Sequence, residues 1–331
     1  MNKSKGYRMQ RLFLLVLVFL ALPVFSQTDA PARRYPPAAV DMQLQRLSER
    51  VYFVQGEAGV ATDNEGFISN AGVIVTNDGV VVFDALGTPS LADLLLRKIR
   101  EVTDQPIVRV ISSHYHADHI YGLQVFKERG AAVWAPVGAE KYLQSENAAE
   151  RLEERRFSLE PWVNETTRLV EPDRYIGVQE NFELGGVRFT VSPVGAAHSD
   201  GDLTLYVEPD RILFSGDIIF EGRVPFVGDA NSRHWLEAIE RMEAGQLIAL
   251  VPGHGAVANN PSQVIAGMRR YLSYLRETMG AAVKDFIPFD EAYAASDWSE
   301  FEQLPAFAEA NRRNAYQVYL SMEAESLSDW E

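Results

Sequence analysis

Seven residues could do chemistry together. The stretch Ser113-His114-Tyr115-His116-Ala117-Asp118-His119 packs three imidazoles and one carboxylate into six positions. Neutral imidazole and carboxylate are the usual ligands of Zn²⁺ and related ions. A lone loop histidine is ordinarily satisfied by backbone. Three of the chain's six histidines in six positions ask for more than that. Three single residues follow: His198 after Gly195-Ala196-Ala197, Asp217 after Ser215-Gly216, and His254 between Gly253 and Gly255. Taken alone, His198 reads as a capped loop residue and Asp217 as a helix N-cap. Beside the cluster they read as ligands, because glycines let the backbone approach a compact centre. Two divalent ions about 3.5–4 Å apart acidify a shared water and polarise a substrate oxygen. The resulting hydroxide attacks at neutral pH without a side-chain nucleophile, and Asp118 can orient that water or take its proton. Such chemistry suits ester, thioester, lactone or amide hydrolysis of a small-molecule substrate.

Each of these residues lies just past an apolar run that reads as a strand: Ile107 to Ile111, Val187 to Val191, Ile212 to Phe214 and Leu247 to Val251. Strand ends are where α/β sheets usually place their chemistry. Earlier, Val51 to Val54 reads as a strand, and Ala71 to Val75 and Val80 to Phe83 flank Asn77-Asp78-Gly79 as a hairpin. Their unbroken apolar character predicts cover on both faces. Pro89-Ser90 opens a helix with Leu91, Leu94, Leu95 and Ile99 on one face. A short helix is expected from near His119 to Lys127, a strand over 131–134, and a helix from Val137 to about Glu154. The stretch 157–180 is less regular, and its Asn164-Glu165-Thr166 triplet receives no role. Strands return at 182–184, 187–191, 203–207 and 211–214, then a helix from Asn231 to about Glu243 carries Trp235, Ile239 and Met242 on one face. Beyond Ser262 the spacing is helical only, with segments to Gly280, near 291–301 and over 305–326. The expected fold is α/β: two sheets back to back with helices outside, a four-layer αββα sandwich over 45–260, and a C-terminal helical extension over 261–331.

The chain has 331 residues, a net charge of -15 and no cysteine. The charge argues against nucleic acid, which needs a basic surface, and gives no support for docking on an anionic membrane. The absence of cysteine excludes disulfides, a thiol nucleophile and thiolate ligands. Lys3, Lys5, Arg8 and Arg11 precede an apolar run from Leu12 to Phe25 that ends in Ser26, the pattern of a Sec-type signal peptide over 1–26. That run is shorter than the ~20 apolar residues needed to span a bilayer. The segment 27–44 reads as a mobile lead-in, rich in Pro and Arg from Pro31 to Pro37. Cleavage removes four positive charges and takes the formal charge from -15 to -19. A periplasmic or secreted protein is expected.

The order His-x-His-x-Asp-His, then His198, then Asp217, then Gly-His254-Gly resembles the metallo-β-lactamase superfamily over roughly 45–260. The resemblance implies a dinuclear centre. His114, His116 and His198 would hold one metal, Asp118, His119 and His254 the other, with Asp217 bridging. It implies two Zn²⁺ per chain, although these N/O ligands also serve iron and manganese. Asp217 at the bridge is similar to glyoxalase II and related hydrolases, and departs from β-lactamases that place Cys there. Asp84, at the end of its strand, would orient ligands. Asn64-Glu65-Gly66-Phe67, Asn70-Ala71-Gly72 and the Phe226-Val227-Gly228-Asp229 loop look like one exported branch, often described beside sulfur-oxidation or quinoprotein systems. His234 reads as a surface residue. Tyr115, Tyr121, Phe67 and Phe226 are candidates to wall the pocket, although an aromatic in a loop more often simply packs.

Two other readings stand beside the hydrolase. A mononuclear non-haem iron persulfide or thiol dioxygenase shares the fold and would use His114, His198 and Asp217 for iron. A non-enzymatic, metal-stabilised accessory protein would use its helical tail as an interface. Metal content and oxygen consumption separate these readings.

Overall fold

Apolar residues on both faces of a strand require a partner layer on each side. Strands β1 (Gln45–Arg46) and β2 (Val51–Val54) lead into β3 (Ala71–Thr76) and β4 (Gly79–Phe83). All of β4 and all of β3 except Val75 are buried. The computed structural model describes Met1 and residues 34–228, 230–242 and 247–328. The expected leader, lead-in positions 27–33 and Asp229 lie outside the described residues. Residues 35–331 form one compact unit.

The β3–β4 hairpin turns at Asn77-Asp78, pairing Thr76 with Gly79. Beside it run β5 (Ile107–Ile111), β6 (Ala132–Pro136) and β7 (Arg174–Ile176), each parallel to the strand before it. The seven strands lie in sequence order. A second sheet contains β8 (Glu180–Leu184), β9 (Val187–Gly195), β10 (Asp202–Val207), β11 (Ile212–Phe214) and β12 (Ala249–Val251), in the order β12-β11-β10-β9-β8.

Alternation along these strands sorts side chains into separate cores. Ile74, Val81, Phe83 and Ile111 of the first sheet meet Leu203, Leu205, Ile212, Phe214 and Val251 of the second in one cluster. Val73, Val80, Val82 and Val110 face the other way, toward Leu91, Leu95 and Phe126. Those partners belong to helices α1 (Pro89–Arg100) and α3 (Leu123–Lys127). On the far side, Leu213 and Leu250 join Trp235, Ile239, Ile265, Leu272 and Val318. Those residues lie on α6 (Ser232–Met242), α7 (Pro261–Lys284) and α9 (Phe307–Ser328), and α8 (Phe289–Ala295) adds Ala292. Helix, sheet, sheet and helix therefore stack with apolar contacts at each junction, as expected, and the C-terminal helices share the core of the outer layer.

Some boundaries differ from the sequence expectation. The helix expected near 119–127 is two, α2 (Ala117–Ile120) and α3. Between them Gly122 passes so close to Ala85 that an added Cβ would meet its carbonyl oxygen at 1.9 Å. The helix expected from Val137 is likewise two, α4 (Gly138–Leu143) and α5 (Glu146–Ser158). Ser145 restarts it by accepting a hydrogen bond from the Ala148 N–H at 3.2 Å. The edge strand β7 has three residues and shows no readable period.

Candidate metal centre

The seven expected residues converge at one end of the sandwich. They leave the C-terminal ends of β5, β9, β11 and β12, so four chain segments must be tied together there. Backbone bonds do this. The Leu203 N–H donates to the Ser113 carbonyl at 2.7 Å, joining the two sheets, and the Gly253 N–H donates to the Gly216 carbonyl at 2.8 Å. Asn70, just before β3, donates its Nδ2 to the Pro252 carbonyl at 2.8 Å and to the Gly255 carbonyl at 2.9 Å.

Three of the imidazoles are turned by a partner. The carboxylate of Asp84 accepts from the Ser113 N–H at 2.6 Å and pairs with His119 Nδ1 at 2.9 Å. Nδ1 of His254 donates to the Ile68 carbonyl at 2.7 Å. Ser113 Oγ lies 2.9 Å from Nδ1 of His114. These contacts leave Nε2 of all three rings facing the centre, and a ring nitrogen must offer a lone pair to bind a metal. The loop carrying His198 is held by Asp202, which accepts from the Ala197 N–H at 3.2 Å and the Ser199 N–H at 3.0 Å.

The inward atoms have the spacing of a metal's ligands. Two donors on one tetrahedral zinc lie about 3.4 Å apart, given Zn–N bonds near 2.05 Å. His198 Nε2 is 3.0 Å from His116 Nδ1. His254 Nε2 is 3.2 Å from Asp118 Oδ2, and His119 Nε2 is 3.5 Å from that same oxygen. Asp217 reaches both sets: Oδ1 lies 3.2 Å from His119 Nε2, and Oδ2 lies 3.3 Å from both His198 Nε2 and His254 Nε2 and 3.9 Å from His114 Nε2. Three trios bring their donor atoms within 4.8 Å: His114, His116 and His198; His114, His119 and Asp217; Asp118, His119 and His254. Buried Nε2 of His114, Nε2 of His119 and Oδ1 of Asp217 form no hydrogen bond. Unpaired buried polar atoms are costly, and a shared cation would pair all three. By spacing, by donor type and by these orphaned atoms, the residues fit bound metal.

Electrostatics agree. Burial, reinforced by neighbouring His119 and His116, holds the pKa of His114 well below the usual histidine value. Burial also lowers His116, and takes His198 down to about 3. These rings are neutral donors. For Asp118 and Asp217 burial works upward, but the surrounding His119 and His254 outweigh it and hold both carboxyls low. In return, Asp217 and Asp118 raise His119 and His254 against the effect of burial. Ionised carboxylates demanding positive charge are what a cation site presents.

Other residues fall differently. Tyr115, Tyr121 and Phe67 are buried in the core, and the Tyr115 hydroxyl donates to the Val170 carbonyl at 2.7 Å. His234 is half-buried, not simply at the surface: its Nδ1 pairs with the Ala196 carbonyl at 2.7 Å, bracing the loop before His198. Sequence reasoning did not find Asp202, Ser113 or Asn70 as braces. The Ser199-x-x-Asp202 spacing is an Asx-type loop signal that points to the first. Phe220 stacks on His254, ring centres 4.9 Å apart and planes within 3°.

Comparisons with known proteins agree with the architecture. A family model described as the metallo-beta-lactamase superfamily matches residues 64–254. The chain is 21% identical over 193 residues to the metallo-beta-lactamase IND-1 of Chryseobacterium indologenes, covering 57% of this chain and 72% of that protein. It is 23% identical over 223 residues to a metallo-beta-lactamase type 2 of Bacillus cereus, covering 66% and 78%. Among solved structures, a metallo-beta-lactamase from Pontibacter korlensis is similar with a TM-score of 0.56 and 20% identity, over 70% of this chain and 99% of that one. The inverting sec-alkylsulfatase Pisa1 from Pseudomonas sp. is similar with a TM-score of 0.68 and 19% identity, over 85% of this chain and 50% of that one. This chain thus spans half the length of that sulfatase.

Proposed function

The chain belongs to the metallo-β-lactamase superfamily and is a hydrolase of that fold, and we propose that it is exported and works with two divalent metals, zinc in the ordinary case, on an ester, thioester, lactone or amide bond. In this reading His114, His116 and His198 hold one metal, Asp118, His119 and His254 hold the other, and Asp217 lies between them. The observation that carries it is the carboxylate of Asp217, within 3.3 Å of imidazole nitrogens from both sets. Bound metals supply Lewis-acid polarisation of the substrate and a water acidified toward neutral pH. The protein's own groups do the rest. Asp118, its side chain 22% exposed, faces the open side and orients the incoming water or takes its proton. Asp84 keeps the His119 proton on Nδ1. The stacked Phe220 ring keeps bulk water off His254.

The relatives named as β-lactamases make a β-lactam an obvious candidate. Asp217 stands against it, because the sequence departs here from the β-lactamases that place Cys at this position. Export is supported by the basic and apolar leader pattern over 1–26. Among the described residues, no helix is long and apolar enough to cross a membrane.

Elemental analysis of protein purified without added metal tests this reading. About two zinc per chain is expected, followed by turnover of one class in a panel of thioesters, lactones, β-lactams and sulfate esters. About one iron per chain, with oxygen uptake on a persulfide, would overturn it.

A further inference from the structure

Arg223 is 6% exposed, yet neither of its terminal nitrogens, Nη1 and Nη2, forms a hydrogen bond. Its Nε makes one long contact, 3.4 Å, to the Val224 carbonyl, and its guanidinium lies 5.0 Å from the Phe226 ring centre. A guanidinium keeps its charge and carries four N–H donors on those two nitrogens. Burying them unpaired is costly, and a ligand that accepts them removes the cost. Arg109 provides a contrast. It too has buried unpaired nitrogens, but it lies 3.8 Å and 4.2 Å from the Trp134 and Phe182 ring centres, and stacking accounts for it.

The position of Arg223 ties it to the metal centre. Phe220, three residues before it, bridges to His254 and stacks on its ring. The Glu221 N–H donates to the His254 carbonyl at 2.9 Å, and the Val224 N–H donates to the Pro305 carbonyl at 3.0 Å. The segment 220–224 is therefore pinned at both ends, between a proposed ligand and the C-terminal helical region. Burial lowers the pKa of Arg223, and the charges of Asp217, Asp118 and Glu309 act on it in the opposite direction. With two divalent ions in place Asp217 and Asp118 would be engaged by the metals, and of these three only Glu309 would still act on Arg223 alone. Four positive charges then face the three carboxylates of Asp84, Asp118 and Asp217, and Arg223 adds one more. The loaded centre has an excess of positive charge and a fork of free donors.

We infer that Arg223 recognises an oxyanion carried by the substrate, a carboxylate, sulfate or phosphate group that accepts paired N–H bonds from Nη1 and Nη2. This rests on the hydrolase reading and narrows it: the substrate is an anion, held at one end by Arg223 while its scissile bond lies at the centre. A planar fork suits two oxygens of one group, which a lysine does not match.

The test uses the protein with the metals it is purified with, and compares sodium sulfate and sodium succinate with sodium chloride at equal ionic strength. At least one of the two anions is expected to raise the Tm of wild type by about 2–4 °C. The more effective one tells sulfate-like from carboxylate chemistry. Arg223→Gln is expected to remove most of that rise, and Arg223→Lys to remove more than half, with metal content per chain unchanged. Without added anion, Arg223→Gln is expected to melt at or above wild type, because Nη1 and Nη2 make no bond there and the one Nε contact is long. Its preference for an anionic over a neutral analogue of any substrate found is expected to fall at least tenfold, through KM. The inference is overturned if neither anion shifts wild type, if the shift is equal in Arg223→Gln, or if that variant melts several degrees lower while keeping the shift. Arg223-dependent anion binding in protein that carries no metal pair would instead overturn the two-metal reading and leave the anion site standing.

Discussion

Two carboxylates at the centre have separable jobs. Asp217 touches imidazoles of both sets, whereas Asp84 touches His119 and the Ser113 backbone from behind. Asp217→Asn removes a negative charge from between the two positions, and a neutral amide holds a cation poorly. Expected is loss of one metal per chain with the fold retained, read by elemental analysis and circular dichroism; two metals still bound would show that Asp217 does not bridge. Asp84→Asn is subtler. Residue 84 has φ +65°, a conformation that Asn tolerates. The amide oxygen can still accept from Ser113. The NH₂ then faces His119 Nδ1 and drives the ring proton to Nε2, where the lone pair is needed. Such braces cost 10–100-fold in metal affinity when changed, and a competition assay with a chromophoric chelator reads that loss. Much of this was legible in the sequence, because histidine spacing and glycine neighbours are local signals. Arg223 and Asn314 were not, since their roles come from what distant segments bring near them.

Elements bring these residues together, and the tolerances are small. A Cβ on Gly253 would fall 1.9 Å from Asp217 Oδ1, so the β12 end and the β11 end fit only with glycine there. The hairpin and the places of the later strands followed from apolar runs and turn residues. The breaks between α2 and α3 and between α4 and α5 did not, because they depend on a tertiary contact at Gly122 and a cap at Ser145. The helical region beyond residue 260 read as a tail of unassigned role. It holds the loop that carries Arg223. Asn314 on α9 accepts from the Val227 N–H at 2.9 Å and donates to the Pro225 carbonyl at 2.7 Å and to the Tyr271 hydroxyl at 2.9 Å. Asn314→Ala strands these buried groups, at a cost of about 3 kcal/mol. Expected is a Tm lower by several degrees and a raised KM, with metal content unchanged because no proposed ligand is touched. Metal loss in step with the fall in Tm would mean that the loop supports the ligands directly.

At the scale of the whole molecule, the centre sits at one end of the sandwich, where strand ends of both sheets come together. The first sheet contributes His114, His116, Asp118 and His119 after β5. The second contributes His198, Asp217 and His254 after β9, β11 and β12. Each proposed metal position takes ligands from both sheets, so bound metal acts as a cross-link over the apolar interface of Phe83, Ile111, Phe214 and Val251. Removing it has two effects. The cross-link is lost, and the buried carboxylates of Asp84 and Asp217, beside the partly exposed Asp118, are left with only the neighbouring imidazoles to balance them. A ligand present at a thousand times its dissociation constant stabilises the native state by about 4 kcal/mol. In a chain of this size that corresponds to a Tm shift of about 6 °C. Dialysis against a chelator should therefore lower the Tm by about that much, and stoichiometric zinc should restore it. The drop should be smaller in Asp84→Asn, which starts with weakened binding. A Tm indifferent to chelation, in protein shown to have lost its metal, would mean that the sheets are held by their apolar interface alone and that the centre is a passenger on a finished fold.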